Sequence, residues 1–317
     1  MGVRYSLIVP VYKNEMNISD LLTAVDRLAG QVGDMEAVFV VDGSPDHSWD
    51  LLRDALPGQS FPSRLVLLSR NFGSFAAIRT GLEQARGDYM AVMAADLQEP
   101  PELVPEFFRR LESGDCDVVM GQRERRGDPF LTNLLSRSYW KMFRRFVIPD
   151  LPPGGVDIFG CTRRVAESIL MLNEVNTSLV AQLFWVGYRR EFVPYERRAR
   201  EKGKSAWTLT KKLKYFLDSV FSFSDLPLLL ILWLGAIGVA MSLLIGFITL
   251  CARLLGFITV PGYTALLLVV LLTFSMVILS QGIMGCYLWR CFENTKRRPL
   301  TLLQRTDDFE GGGRGDG

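Results

Sequence analysis

Tyr5-Ser6-Leu7-Ile8-Val9-Pro10-Val11 is a short β-rich run near the start of the chain, and the fold is read outward from it. Residues 18–30 place apolar side chains at helical spacing, and residues 37–41 are strand-like again, so the opening is strand, helix, strand. The alternation continues with strands over 65–68, 89–94 and 117–120 and helices over 74–85 and 102–111. This spacing predicts an α/β fold, a parallel sheet covered by helices. In such sheets ligands bind beyond the carboxyl ends of the strands. The informative residues are therefore 10–15, 42–44, 69–73, 96–99 and 121–123.

The 317 residues are 49% hydrophobic, and the mean hydropathy of +0.17 is too apolar for an ordinary soluble enzyme. A net charge of +2 gives no case for a nucleic-acid partner. His47 is the sole histidine, which excludes His-rich metal sites and leaves a Ser-His-Asp triad a single base to use. Carboxylates and cations must carry most of the chemistry. Cysteines at 116, 161, 251, 286 and 291 show no metal or redox spacing and imply no disulfide framework.

Apolarity concentrates near the C-terminus. Residues 226–252 contain no charge, and at about 1.5 Å per residue they reach roughly 40 Å, enough for a bilayer core. A second uncharged run, 263–289, follows the break at Pro261-Gly262. Two transmembrane helices, about 227–252 and 263–288, are expected to form a hairpin; two buried core helices are the alternative reading. Lys211, Lys212, Lys214, Arg290, Lys296, Arg297 and Arg298 flank the pair while the turn holds only Arg253, so the positive-inside bias places both flanks in the cytoplasm. Residues 7–11 are too short an apolar core for a signal peptide, so insertion is expected to use the hairpin. The expected organisation is a cytosolic domain over 1–206, a juxtamembrane amphipathic segment over 207–225, the hairpin over 226–289, and a basic cytosolic tail over 290–317 with a disordered Gly-rich end. Gly235, Gly238 and Gly246 would let hairpins pack closely in a homo-oligomer.

Neither a dinucleotide fingerprint nor a P-loop occurs, so phosphate must be held otherwise. Asp96 at a strand end, followed by Gln98, suits a divalent cation, Mg²⁺ or Mn²⁺, that bridges a diphosphate. It equally suits a cap before the helix that starts at Pro100-Pro101. From 129 to 147, aromatic and aliphatic residues interleave with Arg137, Lys141, Arg144 and Arg145, the pattern of an interfacial amphipathic helix or of a basic helix packed on the domain.

Together Val9-Pro10-Val11-Tyr12 with Asn14-Glu15, Val41-Asp42-Gly43-Ser44, Ser69-Arg70-Asn71-Phe72-Gly73, Ala95-Asp96-Leu97-Gln98-Glu99-Pro100-Pro101-Glu102 and the apolar hairpin resemble the polyprenyl-phosphate glycosyltransferases of glycosyltransferase family 2. Bacterial undecaprenyl-phosphate sugar transferases and dolichyl-phosphate mannose synthases are of this kind. The resemblance covers nearly the whole chain and implies a GT-A domain on a membrane anchor. It implies that Pro10, Tyr12, Glu15 and Asp42 line the nucleoside pocket, Asp42 accepting from the base, with Asn71 to Gly73 as its floor. Asp96 matches the last acid of an Asp-Xaa-Asp metal motif and Gln98 a nearby ligand, but Ala94 replaces the first acid. Arg123 and Arg137 match positions that hold the polyprenyl phosphate. Asp157, in Gly154-Gly155-Val156-Asp157, matches an active-site acid or is a turn residue. Arg200-Glu201-Lys202-Gly203-Lys204-Ser205-Ala206 is similar to a loop that closes over the phosphates; Ala206 replaces a common Lys, leaving Lys204 as the cation.

The expected activity is transfer of one sugar from a nucleotide-diphosphate sugar, UDP-linked by preference, to undecaprenyl phosphate at the inner membrane, with inversion. A phosphate acceptor ionises near roughly pH 6 and needs no strong base, only cations to hold it beside another anion. A processive polysaccharide synthase is one alternative, although two spanning helices and Gln182-Leu183-Phe184-Trp185 without its Arg speak against it. A non-catalytic membrane scaffold, suggested by Ala94, is the other.

Overall fold

The computed structural model describes residues 3–123, 156–174, 177–196 and 262–312, with scattered positions between 217 and 255. The first half alternates as expected: β1 (Tyr5–Val11), α1 (Ile18–Val32), β2 (Met35–Val41), α2 (Ser48–Ala55), β3 (Ser63–Leu68), α3 (Ser74–Gln84), β4 (Tyr89–Val92), α4 (Leu103–Glu112) and β5 (Val118–Arg123). There follow β6 (Val156–Thr162), α5 (Arg163–Met171), α6 (Leu179–Trp185), β7 (Arg190–Tyr195), α7 (Tyr263–Thr295) and β8 (Leu303–Phe309).

Among the described residues one eight-stranded sheet runs β7-β5-β6-β4-β1-β2-β3-β8. β1 pairs in parallel with β2 and β4, β2 with β3, and β5 with β7. β6 is antiparallel to β4 and β5, and β8 to β3, so the expected parallel sheet is a mixed one. Strand alternation divides the core between the two faces. Leu7, Val9 and Val11 of β1 join Phe39 of β2, α1 and α4 on one face, while Ile8 joins Val38, Val40, α3 and α5 on the other.

The C-terminal expectation needs two corrections. Residues 303–309 are not tail but the outer strand of the sheet, paired with β3 from Ser63↔Phe309 to Leu68↔Leu303. The second apolar run is a helix that continues past 288 to Thr295. Most of the first apolar run lies outside the described residues; one contact from it and one from the segment ahead of it reach α7. A Cβ on Gly238 would lie 3.4 Å from the Met276 sulfur, and Arg290 pairs with Asp218 at 2.8 Å. Among the described residues no helix is long and apolar enough to cross a membrane. Side chains at 263–265, 267, 268, 271, 272 and 275 of α7 lie outside that described set.

A buried polar network closes the amino ends of the strands. Glu36, 3% exposed, accepts from the Ser6 hydroxyl at 2.7 Å and from the Arg86 amide at 2.5 Å. Burial raises its carboxyl pKa, only partly offset by the Ser6 bond and the Arg64 and Arg163 charges. A group with a raised folded pKa stabilises below its unfolded value, and that stability is lost as pH rises through the folded one. Glu36→Gln keeps an acceptor oxygen and removes the buried charge. Urea unfolding is expected to show the variant at least as stable as wild type at pH 8, with any advantage shrinking at pH 5.

Candidate active site

The order of connections locates the site. From β1 the chain steps outward to β2 and β3, then crosses back to β4 on the other side of β1. Direction reverses between β1 and β4, and a crevice opens at such a switch point. Tyr12 to Glu15 leave β1 on one side of it, and Ala94 to Glu99 leave β4 on the other, with the Met93 amide bonded to the Ile8 carbonyl at 3.0 Å. Since β6 is antiparallel to both β4 and β5, the end of β5 and the start of β6 share this edge. Arg123 ends β5, and Asp157 lies in β6 next to Val156, the register partner of Gln122.

Asp42 follows β2 and is 2% exposed. Its Oδ1 accepts from the Phe72 amide at 2.7 Å and its Oδ2 from the Gly73 amide at 2.8 Å. Burial lifts its pKa above the ordinary carboxylate range, although the two amides pull the other way. Neighbouring Gly43 has φ +52, and a Cβ there would lie 2.2 Å from the Arg70 carbonyl carbon, so the loops after β2 and β3 meet backbone to backbone. Both Asp42 oxygens thus accept from backbone amides of the loop after β3. These two bonds make Asp42 a clamp that shapes the floor, Asn71 to Gly73. Arg70, exposed, lies with its guanidinium 4.0 Å from the Phe72 ring centre.

A second clamp joins the loops after β1 and β2. Asp46 accepts from the Ser44 hydroxyl at 2.5 Å, the Glu15 amide at 3.1 Å and the Ser48 amide at 3.3 Å. Burial raises its pKa, but these bonds outweigh burial and hold it below the usual range. The Lys13 amide donates to Ser44 Oγ at 2.8 Å, the Asn14 amide to Ser48 Oγ at 3.2 Å, and Glu15 Oε2 accepts from the His47 amide at 3.1 Å. Lys13 itself adopts φ 54. The Glu15 carboxylate therefore holds the start of α2, and His47, exposed at that start, acts through its backbone. Sequence reasoning placed Ser44 at the strand end but missed Asp46 and Ser48. Their one signal is the turn chemistry of Ser44-Pro45-Asp46 before a helix.

Asp96 sits half-buried in the loop after β4, its Oδ1 3.4 Å from the Gln98 amide, across Leu97 with φ 52. This tight turn brings the Gln98 backbone to the carboxylate. Among the described residues no group of three His, Cys, Asp or Glu side chains is arranged to hold a metal. The donor set fits Mg²⁺ or Mn²⁺ only if the ion keeps waters and takes substrate oxygens. The described residues form no all-protein cage there. Pro10 lies half-buried near the end of β1, and Tyr12 follows with the Lys13 ammonium 5.5 Å from its ring centre. Arg137, Arg200, Lys204, the expected interfacial helix at 129–147 and the Asp157 side chain lie outside the described residues.

A sheet with a switch-point crevice and acid-bearing loops at one edge defines an α/β domain of the GT-A type. The chain belongs to glycosyl transferase family 2, whose model matches residues 6–170, and it is a transferase. It is 32% identical over 305 residues to the uncharacterized glycosyltransferase sll0501 of Synechocystis sp. (strain ATCC 27184 / PCC 6803 / Kazusa), spanning 96% of this chain and 95% of that one. It is 27% identical over 305 residues to the prophage bactoprenol glucosyl transferase homolog of Escherichia coli (strain K12), spanning 96% and 99%. Among solved structures, glucosyl-3-phosphoglycerate synthase from Mycobacterium tuberculosis is similar at 18% identity and TM-score 0.47, over 69% of this chain and 78% of that one.

The clamp separates two roles for Asp42. Asp42→Ala is expected to lose about 2–3 kcal/mol of unfolding free energy, because two amide bonds to a charged acceptor disappear from a buried place. Loss of nucleotide affinity with unchanged denaturant midpoint would instead mark a direct contact to the base.

Proposed function

We propose that the enzyme transfers a single sugar from a nucleotide-diphosphate donor, UDP-linked by preference, to a polyprenyl phosphate of the undecaprenyl kind, with inversion at the anomeric carbon. The observation that carries this reading is the end-to-end similarity to a bactoprenol glucosyl transferase homolog, which takes in the C-terminal helix as well as the catalytic domain. An oxygen of the lipid phosphate attacks the anomeric carbon while the bond from that carbon to the donor's diphosphate oxygen breaks. The acceptor's negative charge falls and the departing nucleoside diphosphate takes the electron pair. No proton need move, so the chain's task is to align two anions and offset their repulsion.

The residues divide accordingly. Pro10, Tyr12 and the floor held by Asp42 take the nucleoside, and Asp96 with Gln98 faces the diphosphate. Those two would hold a divalent cation, which supplies positive charge to the leaving group when bound. Arg123, Arg137, Arg200 and Lys204 supply fixed cations, and Asp157 orients the acceptor and balances their charge. The lipid acceptor requires a site at the membrane, because burying each CH₂ of the tail is worth about 0.8 kcal/mol and the tail stays in the bilayer. Exposed Leu266, Val269, Val270, Phe274, Ile278 and Leu288 on α7 support lipid contact there. The hairpin crosses the inner membrane and leaves the catalytic domain in the cytoplasm, consistent with the basic flanks.

Asp96→Ala is expected to lower transfer of labelled sugar into organic-extractable lipid by at least a hundredfold with membrane insertion intact. Arg137→Ala is expected to raise the KM for the lipid phosphate at least tenfold and to change the donor KM little. Wild-type kinetics in both variants would contradict these roles.

A further inference from the structure

The strand that completes the sheet comes from beyond the last apolar helix, and its point of arrival is specific. α7 ends at Thr295 and β8 begins at Leu303. Just before β8, Thr301 Oγ1 lies 2.9 Å from Thr80 Oγ1 on α3, and the Leu302 carbonyl accepts from the Ser69 amide at 2.9 Å. Ser69 opens the loop whose Phe72 and Gly73 amides are held by Asp42. The returning chain therefore lands on the substrate-facing edge, at the root of the nucleotide floor.

The attachment is firm. β8 pairs along the whole of β3, and the Arg64 guanidinium forks onto Asp308 at 2.7 and 3.2 Å. Arg86 reaches the same carboxylate at 3.3 Å, and beyond the strand the Gly312 amide donates to the Gln59 carbonyl at 3.0 Å. The other end of the connection is short and stiff. Fully extended at about 3.3–3.6 Å per residue, the chain from Thr295 to Thr301 reaches about 20 Å. Pro299 fixes its own φ and restricts Arg298. At the helix end the Lys296 ammonium lies 4.2 Å from the Phe292 ring centre and 5.3 Å from that of Trp289, and it pairs with Glu293. Aromatic rings beside a cation are the side chains that settle at headgroup level.

We propose that residues 296–309 are a tether of fixed length that holds the nucleotide floor within about 20 Å of the lipid headgroups, and so sets the height at which a bound donor meets an acceptor phosphate anchored in the bilayer. The inference rests on the membrane reading above. β8 and its connection are positioning elements: they touch neither substrate and act through Ser69 and α3. A free tail would leave the domain attached only through the opposite end of the hairpin, and its height would vary with that connection.

The test is a series of Gly-Ser insertions of two, six and twelve residues between Arg298 and Pro299, in the full chain reconstituted in nanodiscs. Lengthening a surface connection costs little closure entropy, so folding is expected to survive, and the two-residue variant decides the matter if longer ones do not fold. Each variant is assayed for melting midpoint, for UDP affinity, for transfer to undecaprenyl phosphate in the same nanodisc, and for transfer to a short-chain, water-soluble polyprenyl phosphate. The tether predicts unchanged melting, UDP affinity within twofold and unchanged transfer to the soluble acceptor. Transfer to the embedded acceptor is expected to fall with each lengthening, at least tenfold by twelve residues. Wild-type transfer to the embedded acceptor across the series overturns the tether, as does an equal loss on both acceptors. Absence of transfer by the wild type to either acceptor overturns the membrane-transferase reading and the tether with it.

Discussion

The Asp42 carboxylate, closed off from water, accepts the Phe72 and Gly73 amides and so joins the loop after β2 to the loop after β3. The rest of the working edge depends on this join. With its two amides secured, the chain enters α3 at a fixed angle through Gly73, and Gly43 can press against the Arg70 backbone. Asp46 repeats the device one loop over, gathering amides and a hydroxyl from the loops after β1 and β2. Buried or half-buried carboxylates used in this way spend their charge on backbone donors, and the result is a rigid rim of crossed loops. A rigid rim is what a site requires when its chemistry is alignment of two anions more than proton transfer.

Asp42 and Asp46 both hold backbone amides of the crossed loops. Asp96 lies on a tight turn on the far side of the switch point, half-buried beside Gln98. Ala94 in place of another acid leaves less protein charge there, so water and substrate oxygens must complete any cation shell. Arg123 and Asp157 come to the same edge by register, one at the end of β5 and the other at the start of the antiparallel β6.

The first five strands and α1, α3 and α4 were legible because their residues are buried on regular periods: Leu7, Val9 and Val11 face one core while Ile8 faces the other. β8 was not legible. Leu303-Gln304-Arg305-Thr306-Asp307-Asp308-Phe309 is exposed along most of its length, and it is held by a ladder and by Arg64 from far away in the chain. β7 carries Arg190, Glu191 and Pro194, which an edge position tolerates and a period-two search discards. At the site, Asp96 announced itself as an acid after a strand. The clamp role of Asp42 did not, because its partners' amides carry no side-chain signature, and Asp46 reads as an ordinary turn residue until the loop after β1 is folded onto it.

The central claim is that one sugar passes from a water-soluble nucleotide donor to an anchored lipid phosphate. Its most direct test is mass balance. Purified full-length enzyme in nanodiscs containing undecaprenyl phosphate is given a panel of nucleotide sugars, and mass spectrometry counts free nucleoside diphosphate and glycosylated lipid. One donor should yield the two products in equal amounts, each lipid carrying a single sugar. Nucleotide release matched only by free sugar in the aqueous phase, or a panel left intact, would contradict the account.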